Sequence, residues 1–264
     1  MKYLILGNGW LGNLLKEYLG EDARLYGEKM TPYDFDHHIF NEYDVLINAI
    51  AKTNIDWCEL NKAETVKTNA LLPYILSKDA NFNDKKYVFL SSACIFESKD
   101  IDDIKYEDSI PNPACFYART KQMAEDLIQE VNQNSLTIRL RLPISEKSHP
   151  RNTLDKLLKY DKINTNQESV TVIEDMLPVL KELIEKDEKG IFHLVNEGTI
   201  SPSELADLMG HSYKEVTKEE QDERLHNEGR AKRVTAYIGS KRIPLLPNIK
   251  ERAPEVIEKW KQTL

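Results

Sequence analysis

The first dozen residues constrain this chain more than any other stretch. A short apolar run, Lys2–Leu6, passes directly into Gly7-Asn8-Gly9-Trp10-Leu11-Gly12 and then into a helical pattern through about Tyr18. Three glycines at this spacing, after a strand and at the start of a helix, suit a bound dinucleotide. The first permits a tight turn, the second lets backbone approach a pyrophosphate, and the third lets helix and strand pack closely. Gly7, Asn8, Gly9, Trp10, Leu11 and Gly12 are therefore the expected cofactor-binding turn, the alternative being an ordinary glycine-rich connection. Cofactor choice should be set just past the second strand, Ala23–Tyr26. There Glu28 offers a carboxylate for a ribose hydroxyl and Lys29 a cation for a 2′-phosphate. Lys29 tilts the expectation towards NADPH, with NADH as the alternative.

Further strand-like runs are expected at Asp44–Asn48, Lys86–Leu90, Leu136–Leu140, Val170–Ile173 and Gly190–Leu194. Helical patterns cover Glu59–Leu76, Tyr117–Val131 and about Glu174–Lys186. Short apolar strands alternating with helices predict an α/β fold, a Rossmann-type doubly wound parallel sheet. The final third is mostly helical. Ser201-Pro202-Ser203-Glu204 reads as a capping box with proline at the first helical position, and Gly210 as a stop. The expected organisation is a dinucleotide-binding domain over 1–145, with sheet strands returning near 168–195. A smaller, mostly helical C-terminal substrate lobe, 146–167 with 196–264, is expected over the carboxyl edge of the sheet.

Composition excludes several classes. In 264 residues, 41% are hydrophobic and 30% charged, which suits a globular chain. No apolar run approaches the ~20 residues of a membrane span. The net charge of −8 argues against a nucleic-acid partner, although an anionic small molecule remains compatible with it. Three cysteines and an N-terminus that runs straight into a glycine motif predict reduced thiols and a cytoplasmic location. His37 and His38 would point apart if extended and gain no further ligands at metal-site spacing, so no metal is expected.

Chemistry concentrates between residues 92 and 121. Tyr117 and Lys121 are spaced i, i+4 and share one face of a helix. A neighbouring ammonium lowers a phenol's pKa, which would suit Tyr117 to proton transfer. Ser92, at the end of a strand, could hydrogen-bond the same substrate oxygen. Such a set reduces a ketone: hydride reaches carbon while a held proton reaches oxygen. A Tyr-x-x-x-Lys pair alone also fits a solvated helix face. The ordered series of glycine turn, strand-terminal serine and Tyr-x-x-x-Lys is rarer, and it resembles the extended short-chain dehydrogenase/reductases over nearly the whole chain.

Several stretches sharpen that resemblance: Asn54–Glu59, Glu64–Asn69, Ala93–Glu97, Phe116–Lys121, Arg139–Ser145, Pro150–Asn152 and Val172–Pro178. Together they look like the bifunctional nucleotide-rhamnose synthases, which are 3,5-epimerase/4-reductases of UDP- or dTDP-4-keto-6-deoxy-glucose. More distantly they resemble dTDP-4-dehydrorhamnose reductase and GDP-fucose synthase. The resemblance implies reduction by Ser92, Tyr117 and Lys121, and epimerisation by Cys94 and Lys156. Apart from it, Cys94 reads as a small core residue and Lys156 as a solvated lysine. Side chains two apart on a strand share a side, which would aim Ser92 and Cys94 into one cleft. Asn69 matches a residue near the catalytic helix, though it could also hold backbone. Asn48, Ala49 and Ala51 follow the third strand, where backbone meets cofactor. Ala93 and Asn152 are expected at the substrate, and Arg151 and Arg233 on its diphosphate, with surface salt bridging an equal alternative for Arg233. A homodimer is implied by analogy. The UDP/dTDP choice stays open, as do two alternatives: a reductase without epimerase activity, and a non-catalytic NADPH-binding regulatory subunit.

Overall fold

In the computed structural model, residues 1–27, 30–32 and 37–264 are described. Lys29, expected to choose the cofactor, and Glu28 beside it lie outside the described residues. The chain divides into two compact units. One comprises residues 1–95, 115–139 and 181–192, the other 96–114, 140–180 and 193–264.

A six-stranded sheet forms the first unit. Its strands are β1 (Tyr3–Leu6), β2 (Ala23–Tyr26), β3 (Val45–Asn48), β4 (Lys86–Ser92), β5 (Leu136–Leu140) and β6 (Gly190–His193), in the spatial order β6-β5-β4-β3-β1-β2. β1 pairs in parallel with both β2 and β3, and β3 in parallel with β4. The central strands β1 and β3 are buried along their whole length, as an apolar run without alternation requires when helices cover both faces. Strand order reverses between β1 and β3, so the crevice beyond their carboxyl ends is a topological switch point where such sheets bind ligands. On one face, Leu4, Leu6, Leu46, Tyr87 and Phe89 pack with Leu72, Leu76 and Ala80 of one helix and Ala124 and Ile128 of another.

The doubly wound parallel sheet follows the sequence reading, but one long helix does not. Instead of a single helix over Glu59–Leu76, the chain forms Ile55–Leu60, Lys62–Val66, a π-helical turn at Lys67–Leu71, and Leu72–Phe82. The π turn centres on Asn69, whose buried side chain draws the backbone out of α-helical register. Residues His37–Glu42 form a 3₁₀ turn rather than an extended segment.

In the second unit, helices Pro202–Met209 and Ile249–Lys261 pack around Ile144, Leu154, Val170, Leu205, Ile257 and Trp260. Ser201 and Glu204 form the expected capping box, and Gly210 ends the helix in the left-handed region. Arg141 and Glu168 form a buried ion pair at 2.6 Å, and both also bind the 234–236 backbone: Arg141 donates to the Val234 carbonyl, and Glu168 accepts from the Ala236 N–H.

Candidate active site

The turn after β1 is built as its glycines require. Gly7 has φ +108°, and a Cβ there would meet Ile50 Cγ1 at 3.0 Å and the Ala49 carbonyl carbon at 3.2 Å. Gly12 packs so closely that a Cβ would fall 1.9 Å from the Gly7 carbonyl oxygen. At Gly9, by contrast, a Cβ would meet nothing within 4 Å, which leaves backbone open to an approaching group. The helix Trp10–Leu19 starts at Gly9 with no side-chain cap, so its first N–H groups are available to an anion. Asn13 stiffens the turn by donating to the Asn8 and Gly9 carbonyls, each at 2.8 Å. Open backbone, uncapped helix start and switch-point position together fit a pyrophosphate.

Beside this turn, the segment after β3 is held by two asparagines. Asn48 donates to the Tyr87 hydroxyl at 2.8 Å and accepts from the Ile50 N–H at 2.9 Å. Asn69 accepts from the Lys52 N–H at 2.8 Å, donates to the Lys52 carbonyl at 2.9 Å, and also reaches Thr120 Oγ1. Both side chains are buried and committed to this bracing. They shape the Ala49–Lys52 backbone, the backbone-holding role the sequence left open for Asn69. Ala49 and Ala51 are themselves partly exposed.

Ser92 ends β4, and Ala93–Ile95 form a 3₁₀ turn. Cys94 is therefore not on the strand, and the alternation argument that aligned it with Ser92 fails. What joins them is local: the Cys94 N–H donates to Ser92 Oγ at 3.2 Å. Tyr117, on the helix Phe116–Val131, lies within the electrostatic reach of the Ser92 hydroxyl and of Cys94, Cys58 and Cys115. Ser92, Cys94 and Tyr117 thus converge. Ala93, expected at the substrate, is fully buried in the 3₁₀ turn between Ser92 and Cys94.

The electrostatics overturn one expectation. Burial, reinforced by the thiols with Cys94 foremost, raises the Tyr117 phenol well above its ordinary value, against a lowering by Ser92. Lys121 does not depress it, because burial drops Lys121 itself to about 7. Tyr117 is accordingly a protonated phenol, a donor rather than a phenolate. Lys121, 1% exposed, donates to the Leu90 carbonyl at 2.8 Å and stands 3.9 Å from the centroid of the Phe89 ring.

Supporting groups were not singled out from the sequence. Glu59 accepts from the Phe116 N–H at 2.6 Å and so caps the catalytic-type helix from its neighbour, the N-cap Cys115 offering no side-chain bond. Glu125 lies one turn beyond Lys121. It accepts from Ser91 Oγ and pairs with Arg139 at 2.7 Å, both ions about 3% exposed. The i, i+4, i+8 spacing of Tyr117, Lys121 and Glu125 was the available signal.

The remaining candidates lie in the second unit. Asn152 is fully buried: it caps helix Thr153–Leu157 by accepting from the Leu154 N–H and donates to the Ser145 and Lys147 carbonyls. Its expected substrate contact gives way to this capping role. Arg151 is exposed. Lys156 is exposed as a residue, yet surrounding protein, then Arg151 and Lys159, lower its pKa. Arg233 donates to the Ala231 carbonyl at 2.6 Å. No group of three or more His, Cys, Asp or Glu side chains placed to hold a metal occurs among the described residues. Nor is any helix among them long and apolar enough to cross a membrane.

A dinucleotide turn at the switch point of a parallel sheet, with serine, tyrosine and lysine gathered at the end of the fourth strand, defines an extended short-chain reductase type of α/β protein. More particularly, the chain belongs to the RmlD substrate binding domain family, which it matches over residues 1–235. It is 29% identical over 245 residues, 83% of its length and 80% of the relative's, to a bifunctional dTDP-4-dehydrorhamnose 3,5-epimerase/dTDP-4-dehydrorhamnose reductase of Arabidopsis thaliana. A trifunctional UDP-glucose 4,6-dehydratase/UDP-4-keto-6-deoxy-D-glucose 3,5-epimerase/UDP-4-keto-L-rhamnose-reductase of the same plant is 30% identical over 228 residues. That match takes 79% of this chain, which spans only 33% of the trifunctional protein. Among solved structures, the UDP-rhamnose synthase of Acanthamoeba polyphaga mimivirus shares the fold at a TM-score of 0.86, with 24% identity over 98% of this chain and 99% of that one.

Proposed function

We propose that this protein reduces the C4 ketone of a nucleotide-linked 4-keto-6-deoxy-hexose, with UDP or dTDP as nucleotide, to a nucleotide-L-rhamnose. The observation that carries this reading is the convergence of Ser92 and a protonated Tyr117, with Lys121 one turn further along the helix. Ser92 orients the carbonyl oxygen. Tyr117 gives that oxygen its proton, so the carbonyl becomes an alcohol as C4 gains two electrons. NADPH, when bound, supplies those electrons as hydride. Gly9 and the first turn of the helix it opens would hold the pyrophosphate, and Lys121 the nicotinamide ribose.

The same pocket supports a second reaction before reduction. A C4 ketone acidifies the hydrogens on C3 and C5, and the donors that polarise it for reduction also stabilise an enolate. Cys94, beside Ser92, would exchange one of these protons, and Lys156 is its proposed partner on the strength of the family resemblance. Arg151 and Arg233 would take the diphosphate. A cytoplasmic homodimer completes the reading.

Incubation with either 4-keto-6-deoxy-glucose nucleotide in D₂O, before NADPH is added, separates the two activities. Deuterium at both C3 and C5, lost in Cys94→Ser, is the outcome expected of a bifunctional enzyme. Retained exchange in Cys94→Ser removes that thiol from the mechanism. No exchange in the wild type, with NADPH oxidised only once a separate 3,5-epimerase is added, leaves a reductase alone.

A further inference from the structure

We propose that Glu125, clamped by Ser91 and Arg139, is a positioning residue that holds Lys121 in its charged form one turn from Tyr117. This inference rests on the reductase reading and extends it to a residue that touches neither cofactor nor substrate.

The geometry is a closed chain of buried groups. From its own helix Lys121 has Tyr117 one turn before it and Glu125 one turn after it. From β4 come the Phe89 ring, the Leu90 carbonyl and, on Glu125, the Ser91 hydroxyl. From β5, Arg139 reaches Glu125 through Nε at 3.1 Å and Nη2 at 2.7 Å. The three thiols act electrostatically on the Tyr117 phenol.

A buried carboxylate needs such a clamp to stay ionised, since burial alone would neutralise it. Ser91 and Arg139 between them donate to both carboxylate oxygens of Glu125. Its field then acts on the neighbour one turn away. Burial pulls Lys121 towards neutrality while Glu125 opposes that pull. The ring of Phe89 offers a further, weaker attraction to a cation. Arg139 pairs with Glu125 at 2.7 Å, a dipole whose positive end offsets part of the carboxylate's pull on Lys121. Without that dipole Lys121 would be neutral near pH 7, and a neutral amine holds neither a ribose hydroxyl nor the electrostatics of the pocket in the same way.

The test is a direct titration. Protein carrying ¹³C-labelled lysine is followed by NMR across pH 5–10, with Lys121→Met identifying the resonance. Wild type should titrate near the depressed value of about 7. In Glu125→Gln the midpoint should fall by roughly 1 pH unit or more. In Glu125→Gln/Arg139→Gln it should fall by less, because the opposing positive charge leaves as well. Should the single variant fail to fold, the double variant and Glu125→Asp, which keeps the charge and should stay closest to wild type, still order the series. An unchanged midpoint in the folded variants overturns the inference, as does a fall in Glu125→Asp equal to that in the double variant. A wild-type protein that never oxidises NADPH with UDP- or dTDP-4-keto-6-deoxy-glucose, even with a separate 3,5-epimerase present, would sink the reductase reading, whereas the titration would still report on Glu125.

Discussion

Removing the ammonium of Lys121 should make the protein more stable at neutral pH. In the folded chain this lysine loses its proton near 7, because burial penalises the charge. Unfolded, it keeps the proton to about 10.4. Between those values the unfolded state binds more protons, so stability rises with pH across that window. Below about 7 both states are protonated and the full penalty applies. At roughly 1.4 kcal/mol per pH unit, the gap corresponds to a penalty of about 5 kcal/mol at low pH and about 4 at pH 7, vanishing by about pH 11. Lys121→Met removes this term and leaves the Leu90 carbonyl without its donor, an offset of about 1–3 kcal/mol that does not vary with pH. Urea denaturation of both proteins from pH 6 to 10.5, without ligand, isolates the effect as a difference curve in which other titrations cancel. Wild type should gain on the variant as pH rises, most steeply between 7.5 and 10. A flat difference curve would mean that Lys121 titrates like a surface lysine, and the reasoning about its burial would be wrong.

Gly12→Ala places a Cβ 1.9 Å from the Gly7 carbonyl oxygen, so the turn must open. NADPH affinity by calorimetry should fall at least tenfold, and an unchanged Kd would dismiss the turn as the pyrophosphate site. Arg141→Met strands the buried Glu168 carboxylate and should cost about 3–5 kcal/mol in denaturant unfolding at pH 7. A loss within about 0.5 kcal/mol of zero would contradict the assignment. Ser201→Ala removes a cap that accepts from the Glu204 N–H at 3.0 Å, for a loss of about 1 kcal/mol by the same assay.

Periodicity and glycine spacing carried most of the fold. The strands Ala23–Tyr26 and Leu136–Leu140, the helix from Phe116 and the Ser201 cap were all legible, because each depends on residues adjacent in sequence. Ser92, Tyr117 and Lys121 were legible too, since one strand end and one helix turn bring them together. What escaped depends on tertiary context. The π turn at Asn69 exists because its amide finds the Lys52 backbone, 17 residues away. Cys94 left the strand register because β4 ends at Ser92. Lys121 does not draw the Tyr117 phenol down because desolvation outweighs a neighbouring charge when both groups are buried, and burial cannot be read from an i, i+4 pair. Glu125 and Arg139, 14 residues apart, look like surface charges until the sheet closes over them.

The most direct measurement is NADPH consumption with UDP- and dTDP-4-keto-6-deoxy-glucose, with the product identified by NMR, in wild type and Tyr117→Phe. A proton donor of this kind contributes typically 10²–10⁴-fold. Wild type should oxidise one NADPH per rhamnose-type product formed, and Tyr117→Phe should lose a factor of that order in kcat while binding NADPH as before. Absence of NADPH oxidation with either substrate even when a separate 3,5-epimerase is present, or a Tyr117→Phe variant as fast as wild type, would contradict the proposed chemistry.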